Sequence, residues 1–532
     1  MKSLAALVLL CSSIALADSF QEPLANQRPR THRVAVIGGG AAGASTAYHL
    51  HKFAGERSLD TTLQVTLFEK ENRIGGRTTT VNALNDTRFP TELGGSIFVR
   101  INQILYNLTQ EFGLSTDARV FGDEVTSDYD LGVWNGKEFV FKQSNSDSRW
   151  QGYWDIAKLL WKYGLAPVRT RNLARTVVDK FLRFYEKPHF PFASLGNVIE
   201  NNELLEYISM SGKDLLAAYN ADGAFANDIV QASTRVNYAQ NLDQIHGVES
   251  MVCMSTEGGM SVDNGNWQIF HEAVRHSGAE AVMDTSITKV TRNASDSTAS
   301  YILSTSDETD FGPFDAVVLA APYQFANIEF DPPLKHVPES IDYVSLYVTL
   351  FTSPHFLSPA FFGLSPDSQA EVPSTVLTTL PEDADKDDDL HDFFSISHLS
   401  TLYASDAAVA ENANLSIPQN LYKIFSHGPL TGDFISKLLN FDHTSTAGKS
   451  DPISELPSWD VSWQLEKVWH SYPYEIPRTE FERIKLEGDD RHDGSGIWYT
   501  SGIESFISTM ETSALMGANV AGLIVQELGN PY

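Results

Sequence analysis

The groups in this chain that could do chemistry sit in three glycine-rich stretches near one end and in two acidic positions near the other. The first stretch is Val34-Ala-Val-Ile-Gly38-Gly-Gly40-Ala41-Ala42-Gly43. Four apolar β-formers run into G-x-G-x-x-G, and an alanine-rich helical pattern follows from Ala41 to His51, the order of a dinucleotide-binding fold. Gly38 permits a tight turn, Gly40 lets backbone N–H groups approach a pyrophosphate, and Gly43 lets helix and strand pack closely. Phosphates then meet the helix N-terminus, where unpaired N–H groups and the dipole favour negative charge. The run Leu63-Gln-Val-Thr-Leu-Phe68-Glu69 reads as a second strand ending in an acid, somewhat further past Gly43 than the usual ~20 residues. Glu69 there accepts from ribose hydroxyls and repels a 2′-phosphate, with Lys70 beside it. The first motif alone allows NAD, NADP or FAD. Arg73-Ile-Gly75-Gly76-Arg77 adds backbone donors flanked by cations, suited to a bound diphosphate and superfluous in an NAD dehydrogenase.

These stretches need elements to hold them. Residues 282–292 and Phe314–Pro322 read as strands returning to the first domain, and Ile497–Glu504 as a strand running into Gly502 and an acid. Met510-Glu511-Thr512-Ser513-Ala514 opens a helix of small residues extending past Gly522. The resulting division is a discontinuous cofactor domain, 33–100 with 282–330 and 490–532, and a mixed α+β substrate domain, 101–281 with 331–489. The fold class is α/β, a Rossmann-like domain joined to that second region. Trp150, Tyr153, Trp154, Leu160 and Trp161 recur at roughly helical spacing, followed by Val177, Phe181 and Phe184. They read as domain core, with an apolar channel wall or a membrane-resting face as the sharper alternative.

The three glycine loops resemble those of FAD-dependent amine oxidases and their relatives, in which Gly94-Gly95-Ser96 would pass near the flavin. By that resemblance Glu504 borders the pyrophosphate or ribitol. The backbone at Glu511 and Thr512 meets the isoalloxazine, where the helix N-terminus stabilises negative charge on the reduced ring. Within this group the chain is similar to the prenylcysteine oxidase family. That likeness rests on Arg235-Val-Asn237-Tyr238-Ala-Gln240, on Glu257-Gly258-Gly259 through Asn266, on Trp469-His-Ser-Tyr472-Pro473 and on the two ends of the chain. Asp263-Asn264-Gly265-Asn266 departs from the family's acid and two glycines, and the acidic stretch 381–392 is unfamiliar. The resemblance implies FAD, O2 and an S-farnesyl or S-geranylgeranyl cysteine. Hydride leaves the prenyl carbon next to sulfur, water adds, and cysteine, a prenyl aldehyde and hydrogen peroxide form. A thioether carries no acidic proton, so no general base is named. Substrate-side candidates are Arg235, Asn237, Tyr238 and Gln240, Arg235 as partner of the cysteine carboxylate. An amine or amino-acid oxidase and a non-catalytic prenyl carrier remain the alternatives.

Composition narrows the setting. Lys2, the apolar run Leu4–Leu16 and Ala15-Leu-Ala17 read as a signal peptide over residues 1–17, with 18–32 a flexible lead-in. Cleavage would remove Cys11 and leave Cys253 alone, so no intramolecular disulfide could form; a buried structural thiol is expected there. Sequons at Asn85, Asn107, Asn293 and Asn414 then become glycosylation candidates. The expected location is the secretory pathway, ending in a lysosome or vacuole or outside the cell. A formal charge of −30 argues against nucleic-acid partners. No apolar run has membrane-spanning length, and peripheral membrane contact is left open with the oligomeric state. No metal site is expected: His49 and His51 point to different helix faces. The aspartates at 383–389 lack the glycine and glutamate of a calcium loop. Neither G-x-S-x-G nor H-E-x-x-H occurs, which disfavours a hydrolase.

Overall fold

The strand Thr31–Ile37 is buried along its second half because Val34, Ala35, Val36 and Ile37 are covered on both faces. In the computed structural model it lies inside a six-stranded sheet ordered Lys485–Glu487, Gly496–Tyr499, Ala316–Leu319, Thr31–Ile37, Thr62–Phe68, Glu280–Val282. All pairings are parallel except that of the edge strand Lys485–Glu487. The structure describes residues 31–57, 59, 61–117, 127–144, 159–255, 258–295, 298–381, 392–442, 451–488 and 491–529. The signal-like segment, most of the lead-in, Trp150, Tyr153, Trp154, Glu257 and the acidic cluster Asp383–Asp389 lie outside the described residues.

The helix Ala41–Arg57 packs against the C-terminal helix Met510–Gly529 on one face of this sheet. Small residues allow the approach: a Cβ on Gly517 would stand 2.2 Å from the Ala42 carbonyl oxygen. The Ser45 hydroxyl donates to the Ala514 carbonyl across the seam. A four-stranded sheet, Asp310–Phe314, Thr298–Thr305, Ile287–Ser295 and Glu329–Asp331, packs beside the other face. A seven-stranded sheet runs from Trp463–Pro473 through Tyr343–Ser353, Gln419–Ser426, Ser395–Leu402, Thr375–Thr378 and Tyr129–Trp134 to Phe139–Ser144. Helices between Ala166 and Val252 complete the second region.

Three boundaries differ from the division read in the sequence. The cofactor-side sheet takes in Glu280–Val282 and Lys485–Glu487, so it reaches back before 282 and before 490. The first strand also begins at Thr31, inside the expected lead-in. The aromatic series divides as well: Val177, Phe181 and Phe184 are buried, but Trp161 is 90% exposed and belongs to no core. Asn85, Asn107 and Asn293 are exposed, whereas Asn414 is partly buried and donates its amide to Ser458. No helix among the described residues is long and apolar enough to cross a membrane.

Candidate cofactor and substrate cavity

A single cavity of about 1800 Å³ runs from the first glycine turn to the inner face of the seven-stranded sheet. Small-ligand pockets usually occupy ~300–1,000 Å³, so this one has room for two occupants end to end. At the sheet end, Gly38 has φ +107° and a Cβ on it would meet Ala320 O at 2.8 Å. A Cβ on Gly43 would overlap Gly38 O at 1.8 Å. Gly40 differs, since the nearest atom to its Cβ position is Gly76 Cα at 3.9 Å. Space is kept open over Gly40, as a backbone cradle for a ligand requires.

Glu69 is buried and its two carboxylate oxygens accept from Gly39 N–H at 2.7 Å and Glu71 N–H at 2.9 Å. This fixes the acid against the turn while each oxygen keeps a lone pair for a ligand hydroxyl. The second loop docks on the first through Gly75 N–H to Gly39 O at 2.9 Å. Lys70 stands exposed at the rim.

Arg77 and Glu504 enter the sequence reading as separate ligand contacts, and the structure joins them. The guanidinium donates to both Glu504 oxygens at 2.9 and 2.7 Å and to the Ser471 carbonyl, and Tyr343 donates to Glu504 at 3.1 Å. Although burial opposes the charged form, Glu504 holds the Arg77 guanidinium above its ordinary range. Their charges cancel, so on this side the cavity offers an anion backbone N–H groups rather than a free arginine. Arg73 is likewise committed, to Glu71 at 2.7 Å and Gly76 O at 3.0 Å.

The third loop lies flush between its neighbours. A Cβ on Gly94 would fall 1.8 Å from Arg77 O, and one on Gly95 2.6 Å from Met510 Sδ. Ser96 accepts from Lys423 Nζ at 2.9 Å, and Lys423 also donates to Glu92 O at 2.8 Å. Burial pushes Lys423 down to about 8, with Glu92 opposing, and pushes Glu92 up to about 7. Lys423 was not foreseen; its signal is a lone lysine inside the apolar run Leu421–Phe425. The Glu511 side chain turns from the cavity's centre and clamps the helix Gln103–Glu111. It accepts from Ile104 and Leu105 N–H at 2.9 and 3.0 Å and from the Tyr185 hydroxyl at 2.7 Å. Thr512 closes the turn through its hydroxyl to Ile507 O at 2.7 Å.

Gly38, Gly40, Ala41, Ala42, Glu69, Lys70, Gly76, Arg77, Gly94, Gly95, Ser96, Glu504, Glu511 and Thr512 all line the cavity; Gly43 sits just behind it. The substrate-side candidates divide. They lie on or just after a helix, Gln231–Tyr238, whose cavity face is Ser233, Val236 and Asn237 at i, i+3 and i+4. Arg235 points elsewhere, which corrects its assignment as partner of a substrate carboxylate. It is 1% exposed, donates to Thr378 Oγ1 at 3.1 Å and Asn241 Oδ1 at 2.8 Å, and lies over the Phe394 ring. Gln240 is structural too, donating to Pro473 O and accepting from Glu475 N–H. Asn237 and Tyr238 remain on the wall. Around them the lining is apolar, with Val133, Phe141, Phe181, Val348, Leu377 and Phe425 among its members. Cys253 lines the cavity but is 3% exposed, and burial pushes its thiol up. Among the described residues no cluster of three His, Cys, Asp or Glu could hold a metal ion.

Comparison with known proteins agrees with this geometry. Residues 145–531 match the prenylcysteine lyase family, and residues 36–112 match the NAD(P)-binding Rossmann-like domain. Farnesylcysteine lyase of Arabidopsis thaliana is 26% identical over 503 residues, covering 92% of this chain and 88% of the plant protein. Prenylcysteine oxidase 1 of Mus musculus is 26% identical over 536 residues, covering 97% and 92%. The Homo sapiens protein of the same name is 27% identical over 524 residues, covering 93% and 89%. Among solved structures, a redesigned putrescine oxidase superposes with a TM-score of 0.53 at 14% identity, covering 93% of this chain and 99% of the other. Cyclohexylamine oxidase from Brevibacterium oxydans gives 0.53 at 13%, covering 94% and 100%. At such identities the structural likeness speaks for the fold.

Proposed function

The chain belongs to the prenylcysteine lyase family, and from that premise we propose that it oxidises the thioether of S-prenyl cysteine with bound FAD, yielding a prenyl aldehyde, cysteine and hydrogen peroxide. The observation that carries this reading is the continuity of one cavity from the open glycine cradle to an apolar pocket. The residues fit FAD. The first turn and the helix it opens would hold the diphosphate, Glu69 a ribose, and Gly94, Gly95 and the start of the helix Met510–Gly529 the ring. When bound, FAD supplies a two-electron acceptor that takes hydride from the prenyl carbon next to sulfur and is reoxidised by oxygen.

The protein's own work is placement. The apolar wall buries the isoprenoid at ~0.8 kcal/mol per carbon group, so half of a farnesyl chain supplies roughly 6 kcal/mol before ordering costs. Of the substrate-side candidates, Asn237 and Tyr238 are left on the wall for the amino-acid end. Lys423 ties Glu92 and Ser96 together, which fixes the Gly94–Gly95 loop. The positive end of the helix Met510–Gly529 favours negative charge in front of it. The exposed Asn85, Asn107 and Asn293 support glycosylation on a secretory route.

The test is spectroscopic. The purified protein is expected to be yellow and to bleach on anaerobic addition of farnesylcysteine, with aldehyde release. Bleaching by amines or amino acids instead would overturn the reading, and a colourless protein that binds prenyl thioethers would make it a carrier.

A further inference from the structure

Trp161 is an indole that the fold leaves in solvent, and it has company. Leu165 and Val168, four and three residues further on, are 60% and 46% exposed. They lead into the helix Ala166–Leu182, whose exposed face is basic. Arg169, Arg171 and Arg175, followed by Arg183, stand there against the single acid Asp179. Over the whole chain acids outnumber lysine and arginine, 68 to 38, so this stretch inverts the charge balance of the molecule. Arg169 donates to the Asn220 carbonyl at 2.7 Å. Arg171 and Arg175 make no ion pair among the described residues. The same helix reaches the cavity. Arg171, Arg175, Val178 and Leu182 recur at i, i+4, i+7 and i+11 and so form one stripe. Its first half is exposed arginine; its second half, Val178 and Leu182, lines the cavity. The end of the stripe lies beside the start of the helix Gln103–Glu111, because the Tyr185 hydroxyl and the Ile104 and Leu105 amides converge on one carboxylate, that of Glu511. Three residues back from these groups stand Leu182 on one side and Ile101 on the other. Ile97 and Ile101 line the cavity yet are 43% and 39% exposed, which places them at an opening, with the exposed Arg100 between them.

We propose that the face from Trp161 to Leu182 rests on an anionic lipid membrane, and that the mouth at Leu182, Ile97 and Ile101 takes the prenyl chain directly from the lipid. The entry route rests on the thioether-oxidase reading above; the docking does not. An indole and aliphatic side chains bordered by arginines match the boundary between headgroups and acyl chains, where the ring sinks in and the guanidinium groups meet phosphate. No described helix is long and apolar enough to cross a membrane, so the contact is one of resting on the surface. Each arginine brought to an anionic surface strengthens binding about fivefold. Repulsion from the rest of this acidic molecule is screened beyond about 8 Å at physiological salt. That repulsion also selects the orientation, since an acidic surface cannot lie against the same membrane. A membrane fits better than an acidic protein because the stripe ends in an apolar cavity, and a ligand with an isoprenoid chain resides in lipid rather than in water.

The test floats the full-length protein with vesicles of phosphatidylcholine alone or of phosphatidylcholine mixed with phosphatidylserine. Wild type is expected to float with the mixed vesicles, to be released by high salt, and to float poorly with phosphatidylcholine alone. Arg171→Gln combined with Arg175→Gln should weaken binding to the mixed vesicles about 30-fold. Trp161→Ser should weaken it roughly tenfold. All three side chains are exposed, so visible absorbance and unfolding should stay as in wild type. Both variants should be bleached at the wild-type rate by dissolved farnesylcysteine, and more slowly than wild type by geranylgeranylcysteine embedded in the mixed vesicles. Equal flotation of wild type on the two kinds of vesicle, or undiminished flotation of the arginine variant, would overturn the docking. So would loss in the arginine variant with none in Trp161→Ser, since charge alone is what an acidic protein would read. Equal bleaching of variants and wild type by the embedded substrate would overturn the entry route. Wild-type flavin that dissolved farnesylcysteine leaves yellow would bring down the thioether reading and the entry route with it, whereas the docking stands or falls on flotation.

Discussion

Two glycines three positions apart do opposite things, and their difference can be measured. Gly43 has no room for a methyl group, whereas Gly40 has room that the protein itself does not use. Gly43→Ala should therefore destabilise flavin-free protein by about 1–3 kcal/mol, as forced overpacking does. Gly40→Ala should leave flavin-free unfolding unchanged and still lose the visible absorbance; equal losses in both would refute the cradle. The Arg77–Glu504 pair gives a second contrast. Arg77→Met strands a buried carboxylate and should cost about 3 kcal/mol in urea unfolding, the low end for a broken buried pair. The low end applies because the Arg77 side chain keeps 35% exposure. Adding Glu504→Gln should recover most of it. Residue identity was legible where function needs a type at a fixed offset, as in the glycine turn and Glu69. It was not legible for Arg235, whose helix turns it towards Asn241 and towards Thr378, the latter far off in the chain. Nor could the sequence show that Arg77 and Glu504 would neutralise each other.

The strand, turn and helix around Gly38–Gly43 are readable because their pattern is local and repeats at β and then helical period. The three-residue edge strand Lys485–Glu487 is not, because it has no period and exists only through its antiparallel partner Gly496–Tyr499. The same holds for the link between the C-terminal helix and the helix Gln103–Glu111, made by one carboxylate. Glu511→Ala leaves two N–H groups and the Tyr185 hydroxyl without an acceptor. A loss of about 1–3 kcal/mol is expected from such stranded groups. Hydrogen exchange should rise first at Ile104 and Leu105, and unchanged exchange there would sink the clamp. That helix begins beside the cavity lining at Ile101, Asn102 and Leu105, so the loosening should also weaken flavin retention.

The balance of buried charge over the whole molecule gives a pH signature. Glu92 and Glu249 are pushed by burial to about 7 and 8, and Glu475 and Glu511 are raised as well. The folded chain thus binds more protons than the unfolded chain above the ordinary carboxylate range, and stability falls as pH rises through those values. Burial lowers His49 to about 4 and His246 to about 3, which opposes this only below the ordinary histidine value of 6.5. Lys423, lowered to about 8, adds stability only above that point. Between about pH 6.5 and 8 the acids act alone, so the Tm of flavin-free protein should drop by several degrees. A flat or rising Tm across that window would show these acids to be ionised in the fold. The sheet that holds the cofactor cradle has a consequence of another kind, for how the protein is made. Its central strand Thr31–Ile37 pairs with Ala316–Leu319, which in turn pairs with Gly496–Tyr499. During synthesis the strand before the first glycine turn gains its neighbour Thr62–Phe68 early, but its other flank stays open until Ala316–Leu319, and that strand's own outer flank until Gly496–Tyr499, has followed. Nucleotide capture is therefore a late folding event, and flavin retention reports that a chain has been completed as well as folded.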